Sequence, residues 1–186
     1  MGDAWVFAMG FAEVGTVEYG AVAVTRSDGS IQLNIHLMST RINYRTVAPD
    51  TFQALMGLEQ HLSKVFTDGK LRALVNLRVS QINGCAFCLD MHSNEARHLG
   101  EAQQKLDCVA AFREAPFFSE REKAALAWAE ALTHVSATHA PDDVYEEVKK
   151  HFSDKELVDL TTAIGMINLW NRMSLGFRVQ PKERHG

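Results

Sequence analysis

The sequence predicts an all-α fold for residues 38–186, on three observations. Apolar residues recur every three or four positions, the spacing of an amphipathic helix, in one segment after another. Residues that commonly start helices precede several of these segments, and glycines that commonly end helices follow some of them. With 46% hydrophobic residues among 186, the chain is long enough to bury the core of one helical domain.

Residues 1–37 do not share this pattern. They are rich in glycine, contain no lysine, and include a turn at Ser27-Asp28-Gly29-Ser30 between short β-like runs. The run Met38-Ser-Thr-Arg-Ile resembles a second translation start. We therefore interpret residues 1–37 as an N-terminal extension outside the core domain, and we assign no function to them.

The first two predicted helices lead to a pair of cysteines. Behind the cap Pro49-Asp50-Thr51, an apolar stripe with helical period runs from Phe52 to Phe66. A second helix spans residues 70–82 and ends at Asn83-Gly84, because glycine readily adopts the left-handed conformation that ends a helix.

A third helix begins at the cysteines. Cys85 follows the stop directly, so it lies near the N-terminus of a helix that we expect to run to about His98 and to stop at Gly100. The same signals predict the later helices: a short one over residues 101–112, one from the capping box Ser119-Glu-Arg-Glu122 through Leu132, one after Pro141-Asp-Asp, and one over Leu157–Phe177 behind the capping box Ser153-Asp-Lys-Glu156, bending near Gly165 or Gly176.

Composition and charge exclude several classes of protein. The chain has 19 basic and 23 acidic residues, a net charge of -4, and no run rich in Lys or Arg, so we expect no binding to nucleic acid. No apolar stretch approaches the roughly 20 residues that cross a bilayer, and the start Met-Gly-Asp lacks the basic region of a signal peptide. Three cysteines do not make a secreted disulfide scaffold. We expect a cytoplasmic protein with no membrane contact, whose partners are small molecules or proteins.

Cys85, Cys88 and His92 form the segment from which we predict function. At 100° per residue, these positions fall within about a 60° arc of one helix face. Two thiols three residues apart can close a disulfide, and a histidine one turn further can accept or return a proton. The pattern indicates a redox centre in which one thiolate attacks a hydroperoxide and the other resolves the sulfenic acid as a disulfide. An external dithiol must then reduce that disulfide.

An incidental cysteine pair and a zinc site are both weaker hypotheses for this segment. A buried cysteine pair can be incidental, because free cysteine behaves as a small hydrophobic residue. A structural zinc site normally has four protein ligands, and the sequence offers no second Cys-x-x-Cys or His-x-x-x-His pair. We therefore expect neither a metal nor a cofactor.

A resemblance to a known family rests on residues 71–92, which read Leu71-Arg-Ala-Leu-Val-Asn-Leu-Arg-Val-Ser-Gln-Ile-Asn-Gly-Cys85-Ala-Phe-Cys88-Leu-Asp-Met-His92. This run resembles the core of AhpD-like alkylhydroperoxidases, within the carboxymuconolactone decarboxylase superfamily. The resemblance extends from about residue 40 to 180. It implies an all-helical subunit that forms a homotrimer or homohexamer, with peroxidase or thiol-disulfide oxidoreductase activity.

The resemblance also implies roles for the three residues. Cys88 is the peroxidatic thiol, Cys85 the resolving thiol, and His92 the proton relay. The substrate is a small hydroperoxide, and the reductant is a protein or small-molecule dithiol. Helix-dipole reasoning alone would favour Cys85 as the more acidic thiol, and we follow the family assignment.

The sequence departs from the family at two positions. The family's proton relay usually includes a glutamate twelve residues before the first cysteine, where this chain has Ala73, and a methyl group cannot accept a proton. Phe87 stands where well-studied members have a histidine. Either His92 and water carry the relay, or a carboxylate such as Glu59 substitutes, or the protein is a weak peroxidase. The alternatives to an enzyme of this kind are a non-catalytic redox-responsive oligomer and a carboxymuconolactone-type decarboxylase; the Cys-x-x-Cys pair argues against the latter.

We assign structural rather than catalytic roles to the other cysteine, histidine, aromatic and charged residues. Cys108 lies in an apolar stripe and is assigned to the core. The segment Trp170-Asn171-Arg172 is interpreted as packing around a buried arginine, and residues 142–147 as a solvated helix face. Surface or structural histidines are expected at positions 61, 98, 134, 139 and 151, and core or subunit-interface aromatics at Trp128, Trp170 and Phe177.

Overall fold

A computed structural model of the chain describes residues 19–25, 31–37 and 39–183. The chain divides into two units between Ser39 and Thr40. The first contains an antiparallel hairpin of β1 (Tyr19–Thr25) and β2 (Ile31–Leu37), with Val22 opposite Asn34. The predicted turn at residues 27–30 and the predicted start at Met38 lie outside the described residues. That residues 1–37 are an extension to the native domain stays a prediction.

The second unit is all-α over its described residues, which confirms the predicted fold class. Its helices are α1 (Tyr44–Val47), α2 (Pro49–Val65), α3 (Gly69–Asn83), α4 (Ala86–His98), α5 (Gln103–Cys108) followed by a 3-10 turn (Val109–Ala111), α6 (Glu120–Thr133), α7 (Val135–Thr138), α8 (Asp142–Lys149) and α9 (Asp154–Phe177). The two four-residue helices, α1 and α7, were not predicted. α9 is a single helix that continues through Gly165 and Gly176.

Side-chain hydrogen bonds cap the N-termini of α3, α6 and α9. Asp68 accepts a hydrogen bond from the backbone N–H of Leu71 at the start of α3. Both predicted capping boxes are present: Ser119 and Ser153 cap α6 and α9, each with the glutamate three residues later bonded back to the cap. These caps place the starts of both helices at the residues where the sequence predicts them.

α3 is the central helix of the bundle. It packs against α4, α6 and α9, and most of its residues are buried. The core around it is aliphatic and aromatic, with fully buried side chains that include Leu62, Leu71, Leu74, Val75, Val79, Phe112, Leu126, Leu160 and Ile164. α3 thus connects the centre of the core to the turn that carries the cysteines.

No helix in the described part of the chain is both long and apolar enough to cross a membrane.

Candidate active site

The turn from α3 into α4 carries the cysteine pair. Gly84 ends α3 with φ = +69°, a left-handed conformation that glycine adopts without steric cost. The backbone N–H of Cys85 then bonds to the carbonyl oxygen of Ser80 at 3.1 Å, which fixes the direction in which the chain leaves the helix. Because of this turn, α4 begins at the cysteines, as the sequence predicts.

Cys85 and Cys88 are joined by a disulfide at this helix start. Cys85 is the N-cap of α4, and its Sγ accepts a hydrogen bond from the backbone N–H of Cys88 at 3.3 Å. Each cysteine is only 1% exposed. The pair therefore stands at the positive end of a helix dipole, a setting that favours thiolates over thiols when the disulfide is reduced.

His92 lies one turn beyond Cys88 and is buried. Its Nδ1 is 2.7 Å from Oε2 of Glu95. Its Nε2 is also buried and has no hydrogen-bond partner among the described residues. The ring is thus held at one nitrogen by a carboxylate, while the other nitrogen remains available for a proton.

The ionisation of Glu95 depends on its surroundings. Burial opposes its negative charge, yet the hydrogen bond from His92 and the charges of His92 and Arg72 together lower the pKa of this carboxyl below its ordinary value. Glu95 is not among the site residues predicted from the sequence. The spacing of His92 and Glu95 nevertheless indicates a contact, because residues three apart on a helix are neighbours on its surface.

Glu59, the carboxylate suggested as a substitute relay, is engaged elsewhere. Its Oε1 pairs with the guanidinium of Arg72, and its Oε2 accepts a hydrogen bond from Nε1 of Trp170 at 3.2 Å. The carboxylate that contacts His92 is Glu95, from the same helix, rather than Glu59 from α2. Arg72 lies between the two, because it pairs with Glu59 and its charge also acts on Glu95.

Ala73 is fully buried in α3, next to Arg72 in sequence. The structure therefore has a methyl group in the core at the position where the family usually has the relay glutamate.

Hydrogen bonds between amide side chains join the end of α3, just before the cysteines, to α9. Nδ2 of Asn83 donates to Oδ1 of Asn168 at 3.0 Å and to Oδ1 of Asn171 at 2.8 Å, and Nδ2 of Asn171 donates to Oγ of Ser80 at 3.1 Å. Arg172 is exposed and bonds to the carbonyl and side-chain oxygens of Asn168. The predicted buried arginine at 172 is therefore wrong, because the buried polar partners on this face of α9 are Asn168 and Asn171.

The remaining candidates lie where structural roles were expected. Cys108 is free and half-buried against the core. Trp128 is buried and donates from Nε1 to Oγ1 of Thr161 at 3.0 Å. Trp170 packs against the rings of Tyr44 and Phe52. Four histidines (His61, His98, His134 and His139) are exposed and His151 is half-buried; residues 142, 143, 146 and 147 of α8 are exposed.

The fold and the site define a class of protein: an all-helical bundle with a buried Cys-x-x-Cys disulfide at a helix start and a buried histidine one turn further. Residues 49–131 match the model of the carboxymuconolactone decarboxylase family. Over 138 residues, 74% of this chain and 94% of the relative, the sequence is 40% identical to the uncharacterized protein YdfG of Bacillus subtilis strain 168. The chain belongs to the carboxymuconolactone decarboxylase family, and it is AhpD-like.

Solved structures share this fold. The Agrobacterium tumefaciens protein ATU0492, of unknown function and described as a candidate AhpD antioxidant defence protein, is 44% identical, with a TM-score of 0.76 over 78% of this chain and all of that one. An uncharacterized peroxidase-related protein from Silicibacter sp. TM1040 is 24% identical, with a TM-score of 0.64 over 72% of this chain and 71% of that one. The second likeness shows the fold alone.

Proposed function

We propose that the protein is a thiol-dependent alkylhydroperoxidase or disulfide oxidoreductase, and the observation that carries this proposal is the Cys85–Cys88 disulfide at the start of α4 with His92 buried one turn further. Family membership and the AhpD-like likeness of ATU0492 support the same class. Small hydroperoxides are the proposed substrates, and a dithiol is the proposed reductant.

The proposed cycle begins with both cysteines reduced. The Cys88 thiolate attacks the distal oxygen of a hydroperoxide, the O–O bond breaks, Cys88 becomes a sulfenic acid, and the alkoxide leaves with a proton returned by His92. The Cys85 thiol then attacks the Cys88 sulfur and forms the disulfide, and water leaves. A dithiol donates two electrons and two protons to the disulfide and is itself oxidised to a disulfide. One hydroperoxide is thus reduced to an alcohol and water for each dithiol consumed.

Access to the sulfur atoms bears on the reductant. Both cysteines are 1% exposed, so an attacking thiol must be small or the α3–α4 turn must open locally. A groove of about 400 Å³ is lined mainly by residues of α6 and α9, among them Ile164, Asn168 and Arg172, and its lining does not include Cys85, Cys88 or His92. The groove is joined to the cysteine turn through Asn168, whose Oδ1 accepts a hydrogen bond from Nδ2 of Asn83 at 3.0 Å.

The direct test is peroxide consumption with dithiothreitol as the reductant. Cys88→Ser is expected to abolish turnover, and Cys85→Ser to prevent disulfide formation while leaving one round of sulfenic acid formation. The matched control is Cys108→Ser, which removes the free thiol of the chain and should leave turnover within about twofold. Equal peroxide consumption by the wild type and Cys88→Ser would show that the catalytic assignment is wrong.

A second candidate is a non-catalytic redox-responsive oligomer. The observation that favours it is Ala73, a fully buried methyl group at the position of the family's relay glutamate. Size-exclusion chromatography of the oxidised and the reduced protein separates the two functions. A change of assembly with redox state, without peroxide consumption, supports the second; turnover with a constant trimer or hexamer supports the first. A homotrimer or homohexamer and a cytoplasmic location belong to the proposal.

A further inference from the structure

Three side chains with complementary chemistry lie along one face of α4. Cys88, His92 and Glu95 are separated by four and three residues, so at 100° per residue they fall within about a 60° arc of the helix. The Nδ1···Oε2 contact of 2.7 Å joins the second to the third. The buried Nε2, which has no partner among the described residues, is the atom of His92 that remains for the first.

Near the His92–Glu95 pair, charged side chains come from two neighbouring helices, α2 and α3. Arg72 from α3 acts on Glu95 and pairs with Glu59 from α2. Trp170 from α9 contributes only a neutral N–H, bonded to Glu59. The side chains of Arg72 and His92 are 12% and 8% exposed, so these charges interact with little screening by solvent.

The contact with the Glu95 carboxylate determines which ring nitrogen of His92 carries the hydrogen. An ionised carboxylate can only accept, so Nδ1 carries the hydrogen and, in a neutral imidazole, Nε2 bears the lone pair. A nitrogen in that state can accept a proton from a thiol. The same arrangement of carboxylate, imidazole and nucleophile is how an active-site base is oriented in general.

We propose that Glu95 is the positioning residue of the site, and that Cys88, His92 and Glu95 act as a thiol–imidazole–carboxylate triad carried by a single helix. This inference rests on the proposed function and names the group that takes the place of the missing glutamate at position 73. In the reduced protein, the Cys88 thiol gives its proton to Nε2, forming a thiolate and an imidazolium. The imidazolium returns that proton to the leaving alkoxide, and Glu95 stays ionised throughout.

The direction of the effect follows from distances. Residue 95 lies about 10 Å further along the helix axis than residue 88, roughly four times the His92–Glu95 contact. Because Coulomb energies fall with distance, the carboxylate stabilises the imidazolium more than it destabilises the Cys88 thiolate. Removing its charge should therefore reduce the thiolate fraction at neutral pH.

The test measures thiolate without requiring peroxide. With Cys85 and Cys108 both changed to serine, Cys88 is the only thiol of the chain, and its alkylation rate by iodoacetamide is followed from pH 5 to 10. In this background Glu95→Gln is expected to slow alkylation at pH 7 about tenfold, corresponding to a shift of one pKa unit. Glu95→Asp should retain the rate within about threefold, and Asp90→Asn, on the opposite side of α4, within about twofold.

Unchanged rate and pH profile in Glu95→Gln would overturn the inference. Should that variant fail to fold, ¹⁵N NMR of the imidazole in the full, otherwise unaltered chain decides: hydrogen on Nδ1 of His92 supports the triad, and hydrogen on Nε2 alone refutes it. The proposed function fails separately, if the wild type consumes no hydroperoxide while alkylation still depends on Glu95.

Discussion

The amide cluster behind the cysteine turn allows a stability prediction in numbers. Asn171 is fully buried, donates to Ser80 Oγ and accepts from Asn83 Nδ2. Asn171→Leu keeps a side chain of similar size but removes both hydrogen bonds, at about 1 kcal/mol each, and leaves the buried Ser80 hydroxyl unpaired, at about 1–3 kcal/mol. We expect the free energy of unfolding to fall by about 3–5 kcal/mol, measured by urea denaturation at a fixed protein concentration.

A double variant shows whether the buried hydroxyl is the cause. Ser80→Ala alone should cost about 2–4 kcal/mol, because it removes one hydrogen bond and leaves Nδ2 of Asn171 buried without an acceptor. Ser80→Ala with Asn171→Leu leaves neither group unpaired, so the pair should cost only about 2 kcal/mol, well below the two single effects together. Asn83 keeps its bond to Asn168 in every variant. Strict additivity would refute the reasoning, since it would mean that the Ser80–Asn171 hydrogen bond contributes nothing.

Single contacts support three further predictions. Gly84→Ala should cost about 1–2 kcal/mol, because φ is +69° there; an unchanged melting temperature would contradict this. Ser153→Ala removes the N-cap of α9 and should cost about 1 kcal/mol in urea denaturation. The backbone and side-chain hydrogen bonds of Ser153 lower the pKa of Glu156 from its ordinary 4.5 to about 2. The ionised carboxylate therefore stabilises the fold at pH values above 4.5, and this stabilisation is lost as the pH falls from 4.5 towards 2. The Ser153→Ala variant should lose less stability than the wild type over this acid range. Arg72→Met should cost about 2 kcal/mol, because the half-buried carboxylate of Glu59 loses its charged hydrogen-bond partner, and a loss under 1 kcal/mol would show that the ion pair is not stabilising.

The helices that the sequence predicts are those whose signals are local. Two capping boxes, the Asn83-Gly84 stop and the stripe from Phe52 to Phe66 each depend on residues within a few positions of one another, and the structure confirms all of them. α1 depends on distant residues instead. The ring of Tyr44 packs on Trp170 and Phe177, and the backbone N–H of Arg41 bonds to the carbonyl of Phe177, more than a hundred positions away. A four-residue helix held by such contacts has no periodicity of its own to detect.

The same distinction between local signals and contacts with distant residues applies to the candidate site. The cysteine turn and the position of His92 follow from local helix geometry: Cys85 is the N-cap of α4, and Cys88 and His92 are buried within its first two turns. The destination of Glu59 does not follow from local pattern, because its partners come from α3 and α9. Whether Cys88, Cys85 and His92 perform the roles implied by the resemblance stays a prediction.

The charges around Arg72 give a physical reason for alanine, rather than glutamate, at position 73. Glu59 and Glu95 place two carboxylates near the half-buried guanidinium of Arg72, and a third carboxylate at position 73 would add further uncompensated negative charge to the interior. With Ala73 there instead, the surroundings of Arg72 hold two carboxylates rather than three. A chain that holds its carboxylate at Glu95 therefore has an electrostatic reason to lack the one at position 73, and the absence of that glutamate is compatible with a working proton relay.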